Sequence, residues 1–116
     1  MAAPARGDIV LVPFPYSDLR GMKRRPACVV SGGAYQRGPD VIVAMVTSQT
    51  GRRQAPGLGD VVVADWQAAG LRAPSTVRTG RLLVLEQRLL GATLGRLSAA
   101  TLADVDDALR AVFGLP

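Results

Sequence analysis

Two short polar runs carry most of the chemistry available to this sequence. The first, Lys23-Arg24-Arg25-Pro26, stands where a loop containing aromatic residues gives way to an apolar run; the second, Thr47-Ser48-Gln49, directly follows the apolar run Val41–Val46. A proline disfavours the helical conformation in the residue before it, so Arg25 is expected to be extended and presented at the mouth of a strand. A guanidinium there offers several donors to a phosphodiester, and the Thr47 hydroxyl can add a hydrogen bond to a non-bridging oxygen. The same residues also fit an exposed basic turn and a strand-end threonine selected by β propensity, and residue types alone leave both readings open.

Composition narrows the chemistry by exclusion. The 116-residue chain has no His and a single Cys, Cys28. That excludes an internal disulfide, a structural zinc site, a two-His, one-carboxylate iron site, His-dependent hydrolytic triads and two-His ribonuclease chemistry. Asp8, Asp18, Asp40, Asp60, Asp65 and Glu86 are scattered, and the remaining acids, Asp104, Asp106 and Asp107, share one terminal segment. No metal or cofactor is therefore expected. Cys28 reads as a small buried hydrophobe, with no base assigned beside it.

Charge is divided unevenly along the chain. Residues 1–96 carry 13 basic against 6 acidic side chains, a net +7, while residues 97–116 carry Arg110 against three aspartates, a net −2. Thirteen of the 14 cations are Arg, which suits bidentate phosphate recognition, although a GC-rich genome produces the same bias. The balance points to nucleic acid or acidic peptides as partners. No apolar run reaches the roughly 18 residues of a membrane span, and the first seven residues are too short and polar for a signal peptide, so a cytoplasmic location is expected.

The elements that must position these groups are mostly strands. Asp8–Pro13, Pro26–Ser31, Val41–Val46, Asp60–Ala64, Ser75–Arg78 and Arg81–Leu85 are short apolar runs bounded by Gly, Pro, Ser and Asp punctuation. Parallel pairing needs crossover helices that the sequence lacks, so a small antiparallel barrel or sandwich is predicted. Phe14–Lys23 and Gly51–Gly59 read as loops, and Asp65–Gly70 as one helical turn with Asp65 as its cap and Gly70 as its stop. The end of the chain differs: Ser98 is an N-cap, Leu102, Val105, Leu109 and Val112 recur at helical spacing, and Gly114 is a stop. One domain over residues 1–116 is expected, with the sheet at about 7–96 and the helix at about 98–113.

Taken in series, several blocks resemble the PemK/MazF family of toxins from toxin–antitoxin systems. They are Gly7-Asp8-Ile9-Val10, Lys23-Arg24-Arg25-Pro26-Ala27, Val46-Thr47-Ser48, Gly70-Leu71 before Pro74-Ser75, Val77-Arg78 and Gly95-Arg96-Leu97-Ser98. The resemblance spans about residues 7–113. It implies a mainly β fold, a small SH3-like antiparallel β-barrel with a C-terminal helix, acting as a homodimer. It also implies sequence-specific, metal-independent cleavage of single-stranded RNA, and a cognate antitoxin whose acidic C-terminal segment covers the RNA site.

By this resemblance Arg25 and Thr47 match the family's catalytic pair. The substrate 2′-OH attacks the adjacent phosphorus and leaves 2′,3′-cyclic phosphate and 5′-OH ends, with Arg25 neutralising the transition state and Thr47 holding a non-bridging oxygen. Some members rely on an arginine matching Arg78 and an acid two residues on; that second position is Gly80 here, so Arg78 reads as a phosphate contact. Phe14 and Tyr16 are candidates to stack on splayed bases while Lys23 and Arg24 follow the backbone, although Phe14 equally fits a place beneath the barrel. Ser48, Gln49, Arg52 and Arg53 complete the candidate RNA-binding set, with solvated loop arginines as the alternative. Trp66 reads as core or interface. Two rival functions share the barrel: a toxin that poisons DNA gyrase by protein contact, and a catalytically silent RNA-binding protein.

Overall fold

The computed structural model describes residues 3–14 and 23–116. Among these, β1 spans Asp8–Phe14, β2 Lys23–Val29, β3 Asp40–Thr47, β4 Asp60–Val63, β5 Ser75–Glu86 and β6 Thr93–Arg96, with helices α1 at Thr50–Gln54 and α2 at Ala99–Phe113. All strand pairs are antiparallel, and the strands hydrogen-bond in the order β4-β5-β3-β2-β1-β6. The architecture is thus the expected one, a mainly β antiparallel sheet followed by a C-terminal helix.

The sheet is buried on both faces at its centre. Ile9, Cys28, Ala44, Val46, Val61, Val63 and Val77 join Leu97 and Val105 in one core, while Val10, Val12, Ala27, Val29, Val41, Val43 and Met45 form a second. Double burial is why these strands read as continuous apolar runs without a polar alternation. Helix α2 packs on the first core through Val105, Leu102 and Leu109. Ser98 Oγ accepts the Thr101 amide at 3.2 Å, and Gly114 ends the helix in the left-handed conformation at φ 68°. An ion pair between Arg6 and Asp106, with Arg6 Nε donating to the Val30 carbonyl at 3.0 Å, ties the chain's beginning to this helix.

The structure corrects four sequence expectations. Strand β2 begins at Lys23, three residues before the expected Pro26, so Arg24 and Arg25 lie within a strand paired to β1. Residues 75–78 and 81–85 belong to one long strand, because β5 continues through a register shift between the Ala44–Leu82 and Met45–Arg78 pairs. Thr93–Arg96 forms the edge strand β6, which its glycine and short length concealed. The expected 51–59 loop begins as helix α1. The turn at 65–70 is present, with the Ala69 amide donating to the Asp65 carbonyl at 3.1 Å, but the Asp65 side chain accepts from Thr101 Oγ1 at 3.3 Å and so joins the turn to α2.

Curling brings the segment after β4 against edge strand β6. Gly70 adopts φ +84°, and a Cβ placed there would lie 2.1 Å from the Leu94 carbonyl oxygen; a Cβ on Gly95 would lie 2.4 Å from that of Ala69. Only two glycines allow this backbone crossing, and it fixes Leu71 and the residues after it beside Leu94. Gly70→Ala is therefore expected to lower folding stability by about 2–4 kcal/mol in urea unfolding, from unfavourable backbone geometry and steric overlap together. Gly33→Ala, which meets no atom within 4 Å, serves as the near-neutral control. Equal midpoints for the two variants would contradict the crossing.

Candidate functional site

The site begins with a missing hydrogen-bond donor. Leu11 donates its amide to the Ala92 carbonyl at 3.0 Å and accepts from the Gly91 amide at 2.7 Å, so both its polar groups face the β6 side. Leu11 is the register partner of Pro26, which makes this a non-hydrogen-bonded pair across β1 and β2. The backbone nitrogen of Pro26 therefore faces β3, where proline has no N–H to give. Pairing of β2 with β3 stops there, its last pair being Ala27–Met45. Continued past that point, the register sets Arg25 opposite Thr47, on one face of the two diverging strands.

A cavity of about 420 Å³ opens where the strands part. Arg24, Arg25 and Pro26 line it from β2, and Val46, Thr47, Ser48 and Gln49 from the end of β3 and beyond. Leu11 and Leu94 come from β1 and β6, and Leu71, Arg72, Ala73 and Ser75 from the segment fixed by the glycine crossing. Among the described residues three arginines and no acid line this space, an arrangement that favours an anion. The Arg24 guanidinium occupies room left by Gly91, where a Cβ would lie 2.7 Å from Nη1. Thr47 Oγ1 accepts the Gln49 amide at 3.2 Å, which orients the hydroxyl and leaves its O–H to donate outward.

The other cations assume different duties. Arg53 Nη1 donates to the Ser48 carbonyl at 2.8 Å and the Pro74 carbonyl at 3.1 Å, strapping the end of β3 to the start of β5. Asp60, its side chain 5% exposed, accepts the Gly57 amide at 2.9 Å and lies 3.5 Å from Arg52 Nη1 and 3.8 Å from Arg78 Nε. Burial pushes the Arg78 guanidinium below its ordinary pKa, repulsion from Arg52 and Arg81 adds to this, and Asp60 opposes it.

Of the residues singled out from the sequence, Arg24, Arg25, Thr47, Ser48 and Gln49 share the cavity. Arg53 borders it through the Ser48 carbonyl, whereas Arg52 and Arg78 sit at Asp60 and do not line it. Lys23 starts β2 and is exposed outside the lining. Phe14 ends β1, while its side chain and Tyr16 lie outside the described residues. Sequence reasoning missed Arg72, whose signal was a cation between the Gly70 stop and Pro74-Ser75. Among the described residues no cluster of three or more His, Cys, Asp or Glu side chains gathers to hold a metal, and no helix is long and apolar enough to cross a membrane. Trp66 packs against the first core.

Cys28 is fully buried and has no place in the cavity. Burial pushes its thiol up to about 12, so it stays protonated and non-nucleophilic at neutral pH. Iodoacetamide at mildly alkaline pH is expected to leave the folded protein unmodified and to alkylate it fully in denaturant, as read by mass spectrometry. The unfolded thiol loses its proton at lower pH than the folded one, so this group's contribution to stability is intact below pH 9 and declines as pH rises towards 12. Rapid labelling of the folded chain would contradict this placement.

Comparison with known proteins gives a consistent picture. A family model described as PemK-like, MazF-like toxin of type II toxin–antitoxin system matches residues 5–113. No curated protein matches the chain. Among solved structures, an endoribonuclease in complex with its cognate antitoxin from a mycobacterial species is similar at TM-score 0.79 and 23% identity, with 98% of each chain covered. The Mycobacterium tuberculosis toxin MazF-mt6 is similar at TM-score 0.75 and 21% identity, over 94% of this chain and 98% of that one. MazF from Deinococcus radiodurans gives TM-score 0.74 and 24% identity, over 99% of this chain and 100% of that one. At these identities the structural likeness establishes the fold.

Proposed function

The chain belongs to the PemK-like, MazF-like toxins of type II toxin–antitoxin systems, and on that footing we propose that it is a sequence-specific endoribonuclease acting on single-stranded RNA without a metal. The observation that carries the reading is the meeting of Arg25 and Thr47 in one cavity that arginines, and among the described residues no acid, line. The similar mycobacterial structure described as an endoribonuclease supports the same activity.

In this mechanism the nucleophile arrives with the substrate. The 2′ oxygen forms a bond to the adjacent phosphorus, the bond from phosphorus to the 5′ oxygen breaks, and the proton of the 2′-OH is ultimately balanced by protonation of the departing 5′ oxygen. The products are a 2′,3′-cyclic phosphate and a 5′-OH. Negative charge grows on the non-bridging oxygens of the five-coordinate phosphorus. Arg25 stabilises that charge, and the Thr47 O–H donates to one of the oxygens. Because a guanidinium remains charged across the physiological range, its part is electrostatic, and proton transfer falls to other groups.

The remaining cavity residues bind. Arg24, Ser48 and Gln49 contact the RNA backbone or base edges, with Lys23, Phe14 and Tyr16 extending that surface. Arg53 contributes by holding the Ser48 carbonyl. The protein acts in the cytoplasm as a homodimer with one domain per chain. A cognate antitoxin is the protein partner, as a complex of the mycobacterial relative with its antitoxin supports, and its acidic C-terminal segment occupies the same cation-lined space.

Long single-stranded RNA incubated with purified protein and excess chelator is expected to be cut at a short recurring sequence, with cyclic phosphate ends identified by end-mapping. Arg25→Ala and Thr47→Ala, each checked for folding by circular dichroism, should lose about 100-fold or more in rate, the scale of removing a transition-state donor. Absence of cleavage by the wild type, or full activity in folded Arg25→Ala, would overturn the reading. Inhibition of DNA gyrase without RNA cleavage would transfer the chain to the rival function.

A further inference from the structure

Arg72 is the one cavity cation that the resemblance to the family did not assign. It is exposed, and among the described residues it makes no hydrogen bond or ion pair, whereas Arg52, Arg53 and Arg78 are each engaged by protein oxygens. Its backbone, by contrast, is held on both sides. Leu71 is buried and donates its amide to the Trp66 carbonyl at 3.0 Å, Gly70 crosses β6 at Leu94, and Ser75 Oγ donates to the Ala73 carbonyl at 2.8 Å. A guanidinium projected from a fixed backbone loses only its own side-chain freedom on binding, so a ligand contact there is gained at low entropic cost.

The location decides what that ligand is. Arg72 reaches the cavity from the segment that closes the half-barrel, while Arg25 and Thr47 reach it from the parted strands β2 and β3. Among the described residues no carboxylate lines the space to neutralise Arg72. An anion bound by Arg25 and Thr47 therefore leaves a second cation available along the same cavity, and a polyanion whose charges repeat along a chain engages both.

We propose that Arg72 is a phosphate-binding residue of this site, gripping a backbone phosphate of the single-stranded RNA next to the one that reacts. The proposal rests on the ribonuclease reading given above. Arg72 contributes to holding and registering the strand and not to stabilising the reacting phosphorus, so its loss weakens binding more than turnover.

The test compares wild type, Arg72→Ala and Arg72→Lys on the RNA site mapped for the wild type. Arg72→Ala is expected to raise KM by roughly tenfold, the loss of one charge-assisted hydrogen bond, with kcat changed by less than about twofold. A copy of the site carrying a 2′-deoxy sugar at the scissile nucleotide permits binding to be titrated across a salt series. There the slope of log K against log salt should become shallower by about 0.7 in Arg72→Ala, one phosphate's worth of released counterion, and return in Arg72→Lys. An active wild type with an unchanged slope and KM in Arg72→Ala would overturn the assignment of Arg72 alone. A wild type that neither binds nor cleaves RNA would overturn both the assignment and the reading beneath it.

Discussion

The absent N–H of Pro26 is the constraint on which the site depends. In a curled antiparallel sheet the β2–β3 ladder would otherwise run on, and the next hydrogen-bonded pair would join residue 26 to Val46. Proline removes that donor, the strands part after Ala27 and Met45, and the space between them becomes the cavity. Arg25, paired to Val12 on β1, and Thr47, paired to Thr76 on β5, lie just beyond the break, and both line the cavity. The apolar residues of both cores hold the strands rigid up to this point, so the two functional side chains are set by backbone pairing and not by a flexible loop.

A second constraint closes the other wall. The crossing of Gly70 and Gly95 brings the turn after β4 against the edge of the sheet, and Leu71, Arg72 and Leu94 become neighbours of strands far away in sequence. The described arginines then fall into two groups. Arg6, Arg52 and Arg78 face aspartates and Arg53 faces two carbonyls, while Arg24, Arg25 and Arg72 line the cavity, which no acid among the described residues lines. The net charge of the chain does not by itself locate an anion site; the arrangement of acids does, because each removes a neighbouring cation from availability.

The same division explains how much was legible in the sequence. Helix α2 was readable from its Ser98 cap, its apolar spacing and Gly114, all of which are local signals. The strand-end Thr47 and the step into Pro26 were readable for the same reason. The start of β2 was not, because Lys23, Arg24 and Arg25 are exposed and carry no apolar pattern; pairing with β1 alone makes them a strand. The continuity of β5 through its register shift and the existence of β6 depend on partners remote in sequence. Arg78 illustrates the limit most directly: that it stands opposite Asp60, 3.8 Å from its carboxylate and outside the cavity lining, depends on the pairing of β4 with β5. Arg72 is the converse case, an ordinary loop cation until the glycine crossing placed it in the cavity.

The central claim is that Arg25 and Thr47 act together on one phosphate across the parted strands. A double-mutant cycle on the rate of RNA cleavage tests it, using folded Arg25→Ala, Thr47→Ala and the combined variant under single-turnover conditions. Groups that stabilise one transition state as a unit lose most of their effect when either is removed, so the double variant is predicted to be little slower than the slower single variant. If the two losses instead multiply, Arg25 and Thr47 act independently, and the account of a shared site at the break in the β2–β3 ladder is contradicted.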